Sequence, residues 1–428
     1  MNFKNFLVIA NILILFAFPI TSFANSSEIS TLSPACILID ADSGKILYEK
    51  NARTKLYPAS TTKIMTAILT IENCNLNDTA IVNETAITKE LIPDGYSRAN
   101  LKAGEVFTIE QLLNCLLIPS ANDAANVLAE HISGSIDEFC SLMNKKAIDI
   151  GCENTHFVNP NGVHNENHYS TAYDLSLIAK YAMRNNTFRE FVCKTSCSIP
   201  PTDIYPRDDR KFNTTNELLR NKDGNNYYYE YANGIKTGYT TVAKNCIVAS
   251  AKKDDYEFIA VILGATQKNS NESTRAIDCI NLFNYAINNY KDKKFLSKDS
   301  LLKQIEIDTG SASDSKKQTL NIVPENDIII RTLTSIEDVT PVISINDNLK
   351  APILSGEIVG KIEYEVDGIK YSTNLIADNN VLNSLSIQYI FDFLLILLIV
   401  IILFTIFNHR RKKHNQNSNY SFDFKRFY

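Results

Sequence analysis

Ser60 and Lys63 are a hydroxyl and an amine whose spacing could support covalent catalysis. Side chains three residues apart share one face of a helix, and Pro58 followed by small hydroxyl residues favours a helix start here. A serine at a helix N-terminus, with an amine one turn away, is a candidate activated nucleophile. The Ser-x-x-Lys spacing is not diagnostic alone, because it recurs three times further along the chain.

Two further motifs carry polar groups suited to the same chemistry. Ser120-x-Asn122 stands at the junction between two predicted helices, and Lys236-Thr237-Gly238 opens a predicted strand. The Ser-x-Asn pattern recurs near the C-terminus, whereas Lys-Thr-Gly occurs only once. The order of the three motifs, rather than any one of them, therefore indicates a shared site.

Lys63 can act as a base only when its amine is neutral. The ordinary pKa of lysine is about 10.4, and lowering it to ~7 costs about 4 kcal/mol. Burial beneath the helix start, with Lys236 nearby as a like charge, changes the pKa in that direction. No Ser-His-Asp arrangement is evident, so Lys63 is the candidate base for Ser60.

Hydrophobic periodicity predicts an α+β domain over residues 25–290. A hairpin signal at Asp42-Ser43-Gly44 comes first, helices occupy the middle, and antiparallel strands with a final helix close the domain. A possible capping box, Thr108-x-x-Gln111, opens one of the helices. The predicted helices cover residues 58–72, 109–117, 123–132, 136–151, 172–183 and 274–290. The predicted strands cover residues 35–40, 46–48, 234–238, 246–252 and 257–263.

Residues 295–380 predict a small all-β domain that follows a charged linker at Lys291–Lys294. Its turns are expected at Asp347-Asn348 and Asp367-Gly368. The predicted strands cover residues 320–323, 328–332, 339–345, 358–366 and 371–376. No residues with evident chemistry stand out in this domain.

Both ends of the chain carry membrane signals. Residues 1–24 combine Lys4, an apolar stretch and the small-residue site Ser22-Phe23-Ala24, which is typical of a cleaved secretory signal peptide. Residues 387–407 are apolar enough to form a transmembrane helix, and a basic tail follows at 408–428. Because positive residues stay in the cytoplasm, we expect a single-pass membrane protein whose catalytic domain is extracellular.

Charge and cysteine content disfavour two classes of protein. The net charge is −5 and both ends are basic, so the body between them is more acidic still, which disfavours nucleic-acid binding. The nine cysteines include no Cys-x-x-Cys pair, and no His spacing is typical of zinc. Cys193 and Cys197 could pair, although nothing in the sequence requires a disulfide. We expect no metal and no cofactor.

The three motifs, in this order, resemble those of the penicillin-recognising serine acyltransferases. Their context resembles the D-alanyl-D-alanine carboxypeptidases, which are the low-molecular-mass penicillin-binding proteins, over roughly residues 30–290. The matching stretches are residues 58–67, 159–162, 168–172, 234–240 and 261–265. In the second domain, residues 351–353 and 356–360 resemble that family's small β domain.

This resemblance implies a β-lactamase/transpeptidase-like catalytic domain, with an antiparallel sheet and helices, and a serine DD-carboxypeptidase activity. The implied substrate is the peptidoglycan stem pentapeptide ending in D-Ala-D-Ala, and β-lactams would acylate the same serine. One departure from the family pattern is Ala243-Lys244, where the family usually has Ala-Gly. This difference would alter a turn without touching the nucleophile.

The family's catalytic roles transfer to matching residues. Ser60 would be the nucleophile and Lys63 its base, while Ser120 would relay a proton to the leaving amine. Asn122 would hydrogen-bond the substrate backbone.

The resemblance also implies a binding strand. Lys236 and Thr237 would bind the terminal carboxylate of the acyl donor, and Gly238 would let the substrate approach closely. The backbone N–H groups of the nucleophile and of Tyr239 would form the oxyanion hole. Arg275 would occupy the family's carboxylate-binding arginine position.

Two alternatives remain open on the sequence alone. A non-enzymatic penicillin-binding sensor would acylate without turnover, although such receptors usually carry further transmembrane helices and a cytoplasmic signalling domain. A class A β-lactamase would need a deacylating glutamate in a Glu-x-x-x-Asn loop. Glu166 lies outside any such motif.

Overall fold

The computed structural model describes residues 29–222, 224–267, 272–298, 300–310 and 316–418. The predicted signal peptide, residues 1–24, lies outside the described residues, as does the basic tail beyond residue 418. The chain divides into two compact units, of which the first ends at Asn288 and the second begins at Asn289.

The first unit is an α+β structure. Its α-helices are α1 Lys63–Asn73, α2 Ile109–Leu117, α3 Asn122–Ser133, α4 Ile136–Ile150, α5 Ala172–Met183, α6 Asn186–Val192 and α7 Thr274–Asn289. Its strands are β1 Ala35–Asp40, β2 Ile46–Lys50, β3 Thr79–Ile81, β4 Val106–Thr108, β5 Ser196–Ser198, β6 Lys211–Asn213, β7 Ala232–Thr240, β8 Lys244–Lys253 and β9 Tyr256–Ala265.

A five-stranded antiparallel sheet in the order β2-β1-β9-β8-β7 organises this unit. The central strands β1, β8 and β9 are buried over most of their length, as expected for strands covered by helices. α5 packs against β1 and β9, and α6 packs against β7. β7 lies at the edge of the sheet, so one side of its backbone can pair with an added peptide.

The helix ends follow the local sequence signals. Thr108 and Gln111 form the predicted capping box at the start of α2. Ser135 accepts a hydrogen bond from the Glu138 N–H and begins α4, and Gly151 ends that helix with φ +96°. These predictions are confirmed.

Lys244 stands at the position where the family pattern has glycine, and its backbone conformation shows what this substitution costs. It is an exposed residue at the start of β8 and adopts φ +59°, a left-handed conformation that strains a residue with a Cβ atom. Glycine takes this conformation freely. The chain therefore keeps the turn between β7 and β8 with a less favourable residue.

The second unit is all-β apart from a 3₁₀ turn and its last helix. Its strands are β10 Lys291–Leu296, β11 Lys303–Asp308, β12 Lys317–Pro324, β13 Ile328–Thr332, β14 Val342–Ile345, β15 Ile358–Val366 and β16 Ile369–Ala377. Five of them form a sheet in the order β11-β12-β16-β15-β14, and β10 pairs with β13. The predicted all-β architecture is confirmed.

The prediction of a linker at Lys291–Lys294 is wrong. These residues belong to β10, which pairs with β13 in antiparallel register from Lys291 opposite Thr332. The strand anchors itself by burying Phe295 and Leu296 at its end, while most of its charged side chains remain in solvent. The four charged or polar residues at the start of β10 suggested a linker, because the apolar residues of this strand lie only at its end.

The last helix, α8 Ser384–Ser418, is longer than the predicted span of residues 387–407. Its segment Tyr389–Lys412 is long and apolar enough to cross a membrane, and none of its most apolar window is buried by protein. An uncovered apolar surface of this extent fits a hydrocarbon environment.

Candidate active site

Ser60 lies on a tight turn rather than on the predicted α-helix. Residues Ala59–Thr62 form a 3₁₀-helix directly before α1. Thr61 and Thr62 each donate a side-chain hydrogen bond to the carbonyl three residues earlier, at 2.7 and 2.8 Å. Such local bonds compete with regular helical bonding. The hydroxyl-rich sequence therefore keeps Ser60 in the 3₁₀ turn directly before the first residue of α1.

Lys63, at the start of α1, is completely buried. Its Nζ lies 3.0 Å from Ser60 Oγ, 2.6 Å from Asn122 Oδ1 and 2.5 Å from the Asn161 carbonyl oxygen. Burial lowers the pKa of Lys63 well below its usual range, and the nearby charge of Lys236 lowers it further. The structure therefore favours the neutral amine that a base requires.

The three partners determine where the lone pair of this amine points. A neutral lysine has two N–H donors and one lone pair, and the oxygens of Asn122 and Asn161 can only accept. They take the two hydrogens, which leaves the lone pair facing Ser60 Oγ, a hydroxyl that can donate. The candidate base is thus within hydrogen-bond reach of the candidate nucleophile.

The turn at residues 159–162 supports both groups from below. Its Asn161 carbonyl binds Lys63, and the Asn161 side chain donates to Asn126 Oδ1 at 2.9 Å. A Cβ atom added at Gly162, where φ is +82°, would lie 2.0 Å from the carbonyl oxygen of Ala59. The sequence marks this segment as one of the stretches that resemble the family, and the structure places it directly beneath Ser60 and Lys63.

Strand β7 brings the third motif beside the serine. Lys236 is 1% exposed, its Nζ donates to the Thr237 carbonyl at 2.9 Å, and its pKa is lowered to about 7 by burial and then by Arg275. A Cβ atom added at Gly238 would lie 3.0 Å from the Ser60 nitrogen. The close approach at this glycine is therefore made by residues Ala59–Thr62, which carry Ser60 and are called the nucleophile turn below.

A cavity of about 510 Å³ collects most of the predicted site. Lys63 and Lys236 are buried rather than part of its lining. The predicted residues that do line it are Ser60, Ser120, Asn122, Thr237, Gly238, Tyr239 and Arg275. Ser120 is buried with φ +66°, and Tyr239 stands 60% exposed at the rim.

Some residues of this cavity carry no sequence signal. Residues 94–97 line it, and the Ser97 carbonyl accepts from the N–H of Asn122 at 2.9 Å. Thr215 also lines it, with its hydroxyl oxygen 2.5 Å from that of Thr237. Both segments belong to irregular stretches without a motif, so only the folded chain identifies them.

Arg275, at the start of α7, reaches the cavity but is already paired. Its guanidinium donates to both carboxylate oxygens of Glu217, at 2.9 and 3.0 Å. The family resemblance predicts that this arginine binds the substrate carboxylate, but no sequence signal indicates its pairing with Glu217.

His168 and Glu166 do not line the cavity that contains Ser60. His168 Nδ1 accepts from the Val158 N–H at 3.1 Å, and its Nε2 lies 2.8 Å from Thr62 Oγ1. Burial above all lowers the pKa of His168 to about 3, so it is a neutral residue that orders the nucleophile turn. Glu166 is exposed and does not line the cavity, unlike a deacylating glutamate.

Within the described residues, no group of three or more His, Cys, Asp or Glu side chains is arranged to hold a metal ion. All nine cysteines are free thiols, including Cys193 and Cys197.

Fold and cavity together define a serine acyl-transfer enzyme of the penicillin-binding protein class. A family model described as D-alanyl-D-alanine carboxypeptidase matches residues 22–267, and one described as the C-terminal domain of penicillin-binding protein 5 matches residues 290–382. The chain belongs to the D-alanyl-D-alanine carboxypeptidase family. Its members are serine carboxypeptidases, and acylation by β-lactams is general among them.

Individual relatives support the same assignment. The D-alanyl-D-alanine carboxypeptidase DacF of Bacillus subtilis is 32% identical over 80% of this chain and 84% of its own length. The D-alanyl-D-alanine carboxypeptidase of Streptomyces sp. (strain K15) is 36% identical over 56% of this chain and 82% of its own. Penicillin-binding protein 5 from Haemophilus influenzae superposes with a TM-score of 0.58 at 25% identity, covering 84% of this chain and all of that one.

Proposed function

We propose that this protein removes the terminal D-alanine from peptidoglycan stem pentapeptides through an acyl-enzyme on Ser60. The observation that carries the proposal is the buried Lys63 amine, whose Nζ lies 3.0 Å from Ser60 Oγ while its other two partners are oxygens that only accept. No cofactor takes part in this chemistry.

Acylation begins when Ser60 Oγ attacks the carbonyl carbon of the penultimate D-alanine and its proton moves to Lys63 Nζ. The backbone N–H groups of Ser60 and Tyr239 stabilise the oxyanion that forms. The C–N bond then breaks, and Ser120 relays a proton to the leaving amine, so that free D-alanine departs. Water attacks the ester, supplies OH to the acyl carbon and returns a proton to Ser60 Oγ.

Substrate recognition uses the exposed edge of β7. The peptide backbone pairs with this strand and with the Asn122 amide. Thr237, which lines the cavity, contacts the terminal carboxylate, and the buried charge of Lys236 beside it helps to bind that carboxylate. β-Lactams present a carboxylate and a reactive carbonyl to the same groups and acylate the same serine.

The proposed topology places the catalytic unit outside the cell. Residues 1–24 are a signal peptide, residues 25–290 the catalytic domain and residues 295–380 a small β domain. Residues 387–407 cross the membrane once, and the basic tail 408–428 stays in the cytoplasm. A membrane-tethered enzyme facing outward suits a substrate that is fixed in the wall.

Full-length protein in detergent, incubated with a peptide ending in D-Ala-D-Ala, should release free D-alanine and should also be labelled by a fluorescent penicillin. Ser60→Ala should abolish both activities, because it removes the attacking oxygen. Labelling without any release of D-alanine would support the sensor alternative instead. Release that persists in Ser60→Ala would overturn the mechanism.

The pKa of Lys236, lowered to about 7, predicts a pH dependence of substrate binding. This lysine is charged below its pKa and neutral above it, so its attraction for a carboxylate weakens as the pH rises. We expect KM for a D-Ala-D-Ala peptide to increase between about pH 6 and about pH 9. Rising pH favours the neutral form of Lys63, so kcat should not fall over the same range. A constant or decreasing KM would contradict this assignment.

A further inference from the structure

Two buried asparagines form a chain of hydrogen bonds behind Lys63. Asn126, on α3, is 0% exposed, and Asn161 is 1% exposed. The Asn161 side-chain Nδ2 donates to Asn126 Oδ1 at 2.9 Å, and Asn126 Nδ2 donates to the Ala86 carbonyl oxygen at 2.9 Å. The chain reaches the candidate base because the backbone carbonyl of Asn161 accepts a hydrogen bond from Lys63 Nζ.

The partners of the two amides give this chain a single direction. The Ala86 carbonyl can only accept, so it binds Nδ2 of Asn126 and leaves Oδ1 of that amide for Asn161. The Val163 N–H can only donate, and it binds Asn161 Oδ1 at 2.8 Å, so Nδ2 of Asn161 faces Asn126. Each amide therefore has one orientation that satisfies all of its partners.

Asn126 lies on the same face of α3 as Asn122, because the two residues are four positions apart. Asn122 Oδ1 accepts directly from Lys63 Nζ at 2.6 Å, whereas Asn126 acts on Lys63 through Asn161. The two acceptors that take the hydrogens of the neutral amine are thus both held by one helix. One of them belongs to the helix, and the other is bound by it.

The other contact that α1 makes with this turn fixes a neighbouring residue. Thr66 Oγ1 donates to the Pro160 carbonyl at 2.6 Å and does not reach the side chain of Asn161. Without Asn126, the Nδ2 group of Asn161 would be buried without its acceptor, a state that folded proteins avoid. We expect the turn to move until this group finds another acceptor, and the carbonyl that binds Lys63 moves with it.

We propose that Asn126 is a positioning residue for acylation, which holds the Asn161 carbonyl where it accepts from Lys63 and so keeps the lone pair of this amine directed at Ser60. The inference rests on the proposed acyl-enzyme mechanism and adds a residue that lies outside the three motifs. Loss of Asn126 leaves the amine in place but removes one of the two acceptors that orient it. Proton transfer from Ser60 then slows, while binding of the substrate is preserved.

Acylation by a penicillin tests the proposal, because it separates into a dissociation constant for the initial complex and a first-order rate of acylation. In full-length Asn126→Leu protein in detergent, the apolar side chain has a similar size but lacks the amide. The acylation rate should fall at least about fivefold, and the dissociation constant should stay within about threefold of wild type. A smaller fall in the rate, or weaker binding that accounts for the loss, would overturn the inference.

Asn144→Leu is the matched control. Asn144 lies on α4, and its amide binds the segment that leads to Asn161 by donating to the Phe157 carbonyl and accepting from the Phe157 N–H, each at 2.8 Å. Both substitutions therefore remove a buried or half-buried amide between a helix and this segment, but only Asn126 binds Asn161. The acylation rate of Asn144→Leu should stay within about twofold of wild type. An equal loss in the two variants would show that any loosening of the segment slows acylation, which contradicts a specific role for Asn126.

A double substitution tests whether Asn126 acts through Asn161. In an Asn161→Ala background the partner is already absent, so Asn126→Leu should change the acylation rate by less than about twofold. Effects that multiply would contradict the inference. If Asn126→Leu does not fold, Asn126→Ala takes its place. If that variant also fails, Asn161→Ala removes the same hydrogen bond from the other side and must itself show the selective fall in rate. Wild-type protein that no penicillin acylates would instead refute the proposed function.

Discussion

Replacing Lys63 with methionine is expected to slow acylation of Ser60 by about a hundredfold to ten-thousandfold, the range typical for loss of a positioned base. The structure gives the reason, because Lys63 Nζ is 3.0 Å from the serine oxygen and its other two partners can only accept hydrogen bonds. Methionine fills a similar volume but carries no basic nitrogen. The measurement is the second-order rate constant for labelling by a fluorescent penicillin.

Lys63→Arg is the matched control for charge. Arginine keeps a cation at this position but stays protonated and offers no lone pair. If the lysine acts as a base, both variants should be slow. An arginine variant that labels within about tenfold of the wild-type rate would show that Lys63 contributes charge rather than proton transfer.

The order of the three motifs on the sequence predicted much of the cavity, because two of the motifs lie at helix starts that local chemistry defines and the third lies within a strand. Ser60 precedes α1, and Asn122 begins α3. Lys236 lies on β7 and belongs to the Lys-Thr-Gly motif, which occurs only once in the chain. Capping residues such as Thr108 and Gln111 give helix starts for the same reason, since their bonds are local. Capping residues and motifs at helix starts can therefore be recognised from the sequence alone.

The parts that sequence could not supply depend on contacts between distant residues. Glu217 and Arg275 are 58 positions apart, and neither belongs to one of the three motifs. Thr215 meets Thr237 from an irregular stretch that has no periodicity to interpret. Arg275 and Thr237 were predicted as site residues, but their pairing with Glu217 and Thr215 becomes evident only in the folded chain.

Two predictions of local backbone structure were wrong. Ser60 was expected on a regular α-helix, but Thr61 and Thr62 bond back to the carbonyls before them and tighten the turn. Lys291–Lys294 was expected to be a linker, although its successors Phe295 and Leu296 anchor a strand. The linker prediction followed from charge content alone, whereas the helix prediction followed from a helix-start signal that does not distinguish a 3₁₀ turn from an α-helix.

Gly162→Ala is expected to slow acylation by about a hundredfold, because displacing a reacting group by an ångström has effects of that size. The added methyl group would lie 2.0 Å from the Ala59 carbonyl oxygen and 2.9 Å from the Ser60 nitrogen, and the contacted atoms are backbone that cannot rotate away. Relief therefore requires movement of the nucleophile turn or of the Asn161 carbonyl that holds Lys63. Penicillin labelling and thermal unfolding, measured on the same samples, separate loss of rate from loss of fold.

Gly134→Ala is the comparison that isolates the cause. Gly134 has φ +78°, close to the +82° of Gly162, but a Cβ atom there would meet nothing within 4 Å. Both variants bear the strain of alanine in a left-handed conformation, which is about 1 kcal/mol. Only Gly162→Ala adds the clash beneath Ser60, so only it should lose acylation. Equal labelling rates in the two variants would mean that the turn at residues 159–162 does not hold the nucleophile in place.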